Sequence, residues 1–145
     1  MTSLVILNGP NLNLLGTRQP KVYGSTTLDD VQAACESQAA KLGCDIAFHQ
    51  TNFEGGLVEL IYGAKDSHDG LIINAGAYTH TSIAIMDAVY SVELPAIEIH
   101  LSNVHAREEF RHKSYLAKAA VGLIAGFGIN SYTLAMDAMM AHLQK

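Results

Sequence analysis

The feature that most limits how this chain can fold is a regular alternation of short apolar runs with amphipathic helical segments. The apolar runs have the length of β-strands and are residues 3–7, 45–49, 70–74, 96–100 and 121–125. The helical segments repeat apolar residues at intervals of three and four and are residues 28–42, 57–65, 83–91 and 131–143. Such alternation indicates parallel strands, because a helix carries the chain back to the start of each next strand.

The chain has 145 residues, enough for one domain with a real core and too few for two, so we expect a single domain over residues 1–145. The run at residues 70–74 is apolar throughout, as expected of a central strand that is covered on both faces. The pattern therefore predicts an α/β fold of the flavodoxin-like, doubly wound type. It is a five-stranded parallel sheet of order 2-1-3-4-5, with helices on both faces.

Local signals predict how the helices begin and end and which faces they bury. A threonine-rich stretch precedes the helix at 28–42, and Gly43 follows it, as at many helix ends. We expect Thr79 or Thr81 to cap the helix at 83–91. In the last helix, much of the apolar face is expected from Leu134, Met136, Met139 and Leu143.

Composition argues against several classes of protein. A net charge of −5 does not suit a nucleic-acid-binding surface. No stretch reaches the roughly eighteen apolar residues of a membrane span, and the apolar run at residues 4–7 ends too early for a signal peptide. A cytoplasmic protein is expected. Cys35 and Cys44 lack the spacing of a zinc-binding pair, and we interpret them as buried reduced thiols.

Polar residues follow three of the predicted strands. Residues 8–11 are Asn-Gly-Pro-Asn, residues 74–76 are Asn-Ala-Gly, and residues 100–103 are His-Leu-Ser-Asn. In the predicted order these strands are neighbours, so their ends should converge on one crevice, the place where this fold binds ligands. All the arginines fall in two short segments, which is consistent with an anion pocket. They are Arg18, Arg107 and Arg111.

Known motifs exclude other chemistries. The chain has none of the patterns GxGxxG, GxxxxGK[ST], HExxH and GxSxG. Asn8 and Asn74 stand where a phospho-acceptor domain would need acidic residues. His80, His100 and His105 lack metal-ligand spacing. Asparagines around a crevice suit a polyhydroxylated neutral or anionic ligand better than a metal, because they donate and accept hydrogen bonds without charge.

Taken together, four blocks of the chain match one enzyme family. The blocks are residues 7–18 followed by Tyr23-Gly24, residues 74–82, residues 98–108 and residues 111–115. By their order and spacing, the chain resembles type II 3-dehydroquinate dehydratases from end to end. Gln19, Lys21 and Lys113 differ from the residues that are usual in that family.

The resemblance implies reversible anti elimination of water from 3-dehydroquinate, giving 3-dehydroshikimate through an enolate, in the shikimate or quinate pathway. Tyr23 matches the family's lid tyrosine, which removes a proton next to the ketone. Free tyrosine has a pKa of about 10, so a cation must favour the phenolate. Arg18 matches the lid arginine, and Arg111 would add to the field. Asn11 matches an asparagine that positions a water for the enolate, so the resemblance implies neither metal nor cofactor.

The same resemblance places the general acid at His100. Glu98 lies two residues earlier on the same strand, so its side chain should face the same side. There it would orient the imidazole or favour its charged form. The substrate carboxylate is expected at Asn74 and at the backbone amides of Leu101 and Ser102, with the Ser102 hydroxyl assisting.

Further expectations from the resemblance concern the rest of the site and the assembly. The ring hydroxyls of the small-molecule substrate should meet His80 and Arg111, while Arg107 braces the site. Asp87 matches a position that reaches a neighbouring subunit's site. The family assembles as a homododecamer, a tetramer of trimers, and we expect no nucleic-acid or membrane partner.

Plainer interpretations stay open at this point. Tyr23 would be a loop anchor, His100 a structural histidine, and Asp87 a solvated helix carboxylate. The alternative functions are a flavodoxin-like binding module for a nucleotide or phosphate, without catalysis, and a scaffold with relic residues. The type I enzyme, which uses a lysine Schiff base, needs a barrel-sized chain, and here no lysine ends an apolar strand.

Overall fold

The structure, a computed structural model, describes residues 1–17, 21 and 24–145. Its strands are β1 (Ser3–Asn8), β2 (Asp45–Gln50), β3 (Gly70–Asn74), β4 (Ala96–His100) and β5 (Gly122–Ala125). Its longer helices are α1 (Leu28–Leu42), α2 (Glu54–Ala64), α3 (Ile83–Val92) and α4 (Ile129–Leu143). All neighbouring strands are parallel, in the order β2-β1-β3-β4-β5. The predicted flavodoxin-like, doubly wound fold is therefore confirmed.

Each face of the sheet carries its own apolar core. On one face, α1 and α4 pack together over β1, β3 and β4. On the other face, α2 packs beside α3. Every residue of β3 and of β4 is buried, as expected of strands with helices on both sides. This burial includes the two polar side chains of β4, Glu98 and His100, so both need hydrogen-bond partners inside the protein.

Helix α1 begins and ends as its sequence predicts. The Thr27 hydroxyl accepts a hydrogen bond from the backbone N–H of Asp30, and the Asp30 carboxylate accepts one from the backbone N–H of Thr27. This reciprocal pair satisfies two of the N–H groups that a helix start leaves without partners. The helix ends at Gly43, which has a φ of 69°, a conformation that glycine adopts without steric cost.

The cap of α3 differs from our prediction. The residue that caps it is Ser82, whose hydroxyl accepts a hydrogen bond of 2.9 Å from the backbone N–H of Ile85. Thr79 and Thr81 were the wrong candidates. Thr79 instead donates its hydroxyl to the buried carboxylate of Glu98, a charged acceptor that attracts a donor more strongly than a helix end does.

Helix α2 begins at Glu54, three residues before the predicted start. The two glycines at 55 and 56, which precede the predicted helix, belong to its first turn. The backbone N–H of Leu57 donates to the carbonyl of Phe53 at 3.1 Å, which closes that turn. Glycine lowers helix stability by only about 1 kcal/mol per residue, and burial of Leu57 and Ile61 against the sheet offsets this cost.

The buried face of α4 also corrects one predicted residue. Leu134 has 44% of its surface exposed, so it does not belong to the core. The fully buried hydrophobic positions are Tyr132, Ala135, Met136 and Met139. They follow the three- and four-residue spacing of a single helix face, and Leu134 lies off that face. Tyr132 therefore faces the sheet, although we did not select it from the sequence.

Cys35 and Cys44 are both buried, and neither forms a disulfide bond. The interpretation of both as reduced thiols is therefore confirmed. Burial raises the pKa of Cys35 to about 12, so that thiol stays protonated and unreactive. In the part of the chain that the structure describes, no helix has the length and apolar character needed to cross a membrane.

Candidate active site

One cleft lies beyond the carboxyl ends of β1, β3 and β4, where the three polar strand ends were predicted to converge. It contains about 550 Å³ of empty space, part of it open to solvent. Arg107 and most of the predicted site residues line it. Those residues are Asn11, Asn74, His80, His100, Leu101, Ser102 and Arg111.

The loops after β1 and β3 meet closely at the floor of this cleft. Asn8 and Asn74 end their strands in register with each other, and the backbone N–H of Gly9 donates to the carbonyl of Asn74 at 2.8 Å. A Cβ atom at Gly9 would lie 2.4 Å from the carbonyl oxygen of Ala75. Only glycine fits this approach without moving the backbone.

Asn11 follows this contact in an unusual backbone conformation. Its φ is 69°, in the left-handed region where asparagine is tolerated better than most residues. Its backbone N–H donates to the side-chain oxygen of Asn52 at 3.0 Å. The turn is therefore held from the neighbouring loop, and Asn11 is placed at the cleft wall.

The most specific feature of the cleft is a buried acid–base pair. The Nε2 atom of His100 lies 2.5 Å from Oε2 of Glu98, and both residues belong to β4. They are two residues apart, so their side chains leave the strand on the same side, as predicted. Glu98 is only 1% exposed and lies behind His100, which is 6% exposed and lines the cleft.

Two hydroxyl groups complete the surroundings of the Glu98 carboxylate. Thr79 donates to Oε2 at 2.9 Å, and Ser114 donates to Oε1 at 2.6 Å. The Ser114 oxygen also accepts a hydrogen bond from the backbone N–H of Ala117, which fixes its orientation. Burial alone would raise the pKa of Glu98, but His100 and the two hydroxyl donors together hold it below its ordinary value.

These contacts determine the protonation pattern of the imidazole. An ionised carboxylate can only accept hydrogen bonds, so the Nε2 atom of His100 carries a proton. The other ring nitrogen, Nδ1, is then the atom that gains or loses a proton when the ring charge changes. A histidine held in this way can donate a proton to a bound molecule from Nδ1 while Glu98 balances its charge.

A second imidazole, that of His80, lies nearly parallel to the His100 ring, with 6.3 Å between centroids. Its Nδ1 atom is 2.8 Å from the carbonyl oxygen of Lys113. A carbonyl can only accept, so Nδ1 carries the proton. Burial lowers the pKa of His80, although its bond to the Lys113 carbonyl opposes that shift. The ring is therefore neutral at neutral pH, and its Nε2 atom can accept a hydrogen bond from a hydroxyl group.

Positive charge enters the cleft from the loop after β4. Arg107 and Arg111 both line it, and their side chains are 14% and 18% exposed. Arg107 donates to the Ser102 hydroxyl at 3.4 Å, and Nε of Arg111 donates to Glu108 at 3.1 Å. Arg107 and Arg111, which are close together in the sequence, thus form one cationic wall of the cleft. Such a wall suits an anionic ligand.

Comparison with known proteins identifies the family. The model of the family "Dehydroquinase class II" matches residues 2–140. A 3-dehydroquinate dehydratase from Dinoroseobacter shibae is 61% identical over 97% of this chain and 93% of that protein. One from Ruegeria pomeroyi is 59% identical over 99% of this chain and 96% of its own. The chain belongs to the class II dehydroquinase family.

Solved structures agree with this assignment. The type II dehydroquinase from Propionibacterium acnes has a TM-score of 0.93 and 40% identity, over 97% of both chains. The one from Butyrivibrio crossotus has the same TM-score and 38% identity, again over 97% of both chains. The predicted resemblance and the prediction of an enzyme, a type II dehydroquinase, are therefore confirmed.

Membership of the dehydroquinase family does not by itself assign the site residues, and the structure places them in three groups. The predicted site residues that line the cleft lie close together, with Glu98 behind them. Asp87 is exposed on α3 and is not among the described residues of the cleft wall. Arg18 and Tyr23, the predicted lid residues, lie outside the residues that the structure describes.

Sequence reasoning missed three side chains that hold this dehydroquinase site together. Thr79 and Ser114 bind Glu98, and Tyr132 binds Asn74. Thr79 and Ser114 both lie in blocks that match the family, but no spacing rule connects them to a strand residue. Tyr132 could have been selected from the sequence, because a tyrosine on the buried face of a helix needs a hydrogen-bond partner for its hydroxyl.

Among the described residues there is no group of three or more His, Cys, Asp and Glu side chains arranged to hold a metal ion. None of the described residues that line the cleft is a lysine. The cleft therefore offers an imidazole, hydrogen-bond donors and fixed positive charge, and its described lining holds no lysine amine for a Schiff base.

Proposed function

We propose that this protein catalyses the reversible anti dehydration of 3-dehydroquinate to 3-dehydroshikimate through an enolate, as one catalytic domain over residues 1–145. The family supports the substrate. The single observation that supports the mechanism is the buried pair of His100 and Glu98 at the wall of a cationic cleft. Its chemistry matches the second half of an elimination, in which a hydroxyl group must leave as water.

In the proposed first step, the phenolate of Tyr23 removes a proton from the carbon next to the ketone. The electrons of that C–H bond form the enolate, whose negative charge rests on the former ketone oxygen. Arg18 favours the phenolate, and Arg111, which lines the cleft, adds positive charge. Asn11 holds a water that donates to the enolate oxygen, so the charge is met by a donor already in place.

In the second step the enolate re-forms the ketone, a carbon–carbon double bond forms, and the carbon–oxygen bond to the hydroxyl group breaks. His100 gives its Nδ1 proton to the departing oxygen, which leaves as water. Because Glu98 keeps hold of Nε2, the ring does not turn as its charge changes. Neither step uses a cofactor. Before the next turnover, Tyr23 loses the gained proton to solvent and His100 regains a proton from solvent at Nδ1.

The remaining walls of the cleft suit the rest of the substrate. We assign its carboxylate to Asn74, to the backbone amides of Leu101 and Ser102, and to the Ser102 hydroxyl. Its ring hydroxyls would meet His80, whose Nε2 atom can accept, and Arg111, which can only donate. This arrangement orients the substrate with the leaving hydroxyl toward His100.

We also propose that the protein works as a homododecamer, a tetramer of trimers, in the cytoplasm. Asp87 is exposed on α3, so it is available to reach the cleft of a neighbouring subunit. Light scattering on the purified protein tests this assembly. A mass of about twelve chains is expected, and a monomer would remove the role of Asp87.

The reaction is tested by adding 3-dehydroquinate to the purified protein and following the ultraviolet absorbance of the conjugated enone product. We expect a steady rise that begins without delay and is unchanged by a metal chelator. Binding without any rise would instead indicate a binding module and would overturn the proposed function. Treatment with borohydride in the presence of substrate should leave the activity intact, and irreversible inactivation would show a Schiff base.

A further inference from the structure

A chain of buried hydrogen bonds connects the floor of the cleft to the interior. Asn8 and Asn74 are neighbours in register at the ends of β1 and β3, and the side chain of Tyr132 reaches them from α4. Asn8 and Tyr132 are 0% exposed and Asn74 is 3% exposed. Of these three side chains, that of Asn74 belongs to a residue that lines the cleft.

The hydrogen bonds run in one direction. Asn74 donates from Nδ2 to the Tyr132 oxygen at 2.9 Å, and the Tyr132 hydroxyl donates to Oδ1 of Asn8 at 2.7 Å. Nδ2 of Asn8 then donates to the backbone carbonyl of His49 at 3.0 Å. At the other end, Oδ1 of Asn74 accepts from the backbone N–H of Gly76 at 3.2 Å.

Backbone groups at both ends of this series of hydrogen bonds allow only one donor-to-acceptor direction. The carbonyl of His49 can only accept and the N–H of Gly76 can only donate. If the amide of Asn74 turned over, its NH2 group would face the Gly76 N–H, and its oxygen would face Tyr132. The Tyr132 hydroxyl, which already donates to Asn8, could not also donate to Asn74. Burial raises the pKa of Tyr132, so its hydroxyl stays protonated and remains a donor.

We propose that Tyr132 and Asn8 are positioning residues that lock the Asn74 amide with its nitrogen free to donate to a ligand. After the bond to Tyr132, Nδ2 of Asn74 has one hydrogen left to donate, while one of the two lone pairs of its oxygen accepts from the Gly76 N–H. The cleft therefore presents a donor at this point. It selects a ligand group that accepts, such as a carboxylate oxygen, over a group of the same shape that donates.

This inference rests on the proposed function for the identity of the substrate, but the lock itself does not depend on it. The test compares 3-dehydroquinate with its carboxamide analogue, in which an NH2 group replaces one carboxylate oxygen. Wild-type protein should use the carboxylate far better. In Tyr132→Phe the Asn74 amide is free to turn, so KM for 3-dehydroquinate should rise about tenfold, with kcat within about twofold.

The decisive readout is the ratio of kcat/KM between the two compounds, which a purely structural role would not change. We expect this preference to fall about tenfold in Tyr132→Phe. The matched control is Tyr90→Phe, which loses a tyrosine hydrogen bond to the Lys118 carbonyl away from the cleft, and its preference should stay at the wild-type value. An unchanged preference in folded Tyr132→Phe would overturn the inference.

A second measurement tests the inference if Tyr132→Phe does not fold or if the wild-type protein does not turn over 3-dehydroquinate. In nitrogen-15 spectra of the wild-type protein, the side-chain NH2 of Asn8 should exchange its hydrogens with solvent very slowly. The Asn74 NH2 should show one slow hydrogen and one that shifts when a carboxylate ligand is added. Fast exchange of both Asn74 hydrogens would refute the lock. Absence of turnover by the wild type would instead refute only the proposed function.

Discussion

The Nε2 atom of His100 lies 2.5 Å from Oε2 of Glu98, and both residues are buried. Thr79 and Ser114 hold the carboxylate from its other sides. The imidazole therefore has one ring nitrogen fixed against a buried charge, while the ring lines the cleft. In the proposed mechanism, this relationship holds the ring in place while it delivers a proton from the end of β4.

Glu98→Gln tests the charge in this pair. Glutamine keeps the shape, but it no longer balances a positive imidazole and can donate a hydrogen where a carboxylate only accepts. We expect kcat for dehydration to fall about 10²-fold, within the range for general acid–base groups, with a much smaller change in KM. Steady-state kinetics measure this. Glu59→Gln, an exposed residue of α2, should behave like wild type.

The same carboxylate makes stability depend on pH. Because the folded protein holds the pKa of Glu98 below its ordinary value of 4.5, its ionised form stabilises the fold above about pH 4.5. That contribution disappears as the pH falls through the lowered pKa. Urea unfolding between pH 7 and acid should show a steeper loss for wild type than for Glu98→Gln. Parallel curves for the two proteins would contradict the account.

The fold could be predicted from the sequence because each element carries its own signal. Strand β3 is apolar throughout, and α1 has both a threonine cap and a closing glycine. Errors arose where a tertiary contact competed with a local one. Thr79 was predicted as a helix cap, but the buried Glu98 carboxylate engages its hydroxyl instead. Leu134 was expected on the apolar face of the last helix, but its position around that helix leaves it exposed.

The candidate site could be predicted only in part, for a related reason. The strand ends at Asn74 and His100 could be placed because parallel topology fixes them at one edge. The partners of Glu98 and Asn74 could not, because Ser114 and Tyr132 arrive from distant parts of the chain. Contacts over such separations depend on how loops and helices pack, and no periodicity in the sequence encodes them.

The proposed base, Tyr23, is tested by Tyr23→Phe, and its proposed cation by Arg18→Ala. Removing the phenol oxygen removes the proton acceptor, and removing the guanidinium leaves the phenolate without its cation. Each variant should lose about 10²- to 10⁴-fold in kcat and keep the wild-type circular dichroism and unfolding midpoint. Tyr62→Phe, a partly exposed tyrosine of α2, is the matched control. Full turnover by Tyr23→Phe would show that the base lies elsewhere.

Gly9→Ala tests the close contact that forms the cleft floor. The added Cβ would lie 2.4 Å from the Ala75 carbonyl oxygen, so the loops after β1 and β3 must separate. We expect the free energy of unfolding to fall by about 1–3 kcal/mol and the affinity for substrate to weaken. Gly63→Ala in α2, where a Cβ meets no atom within 4 Å, should instead stabilise by about 0.5–1 kcal/mol. Equal effects of the two changes would refute this packing argument.

The most direct test of the central claim is the rate of enone formation from 3-dehydroquinate by His100→Ala, measured beside wild type at saturating substrate. His142→Ala, a histidine in the last turn of α4, serves as the control and should keep the wild-type rate. The account predicts that wild type dehydrates the substrate and that His100→Ala does so about 10²- to 10⁴-fold more slowly while remaining folded. A wild-type rate from His100→Ala would contradict it.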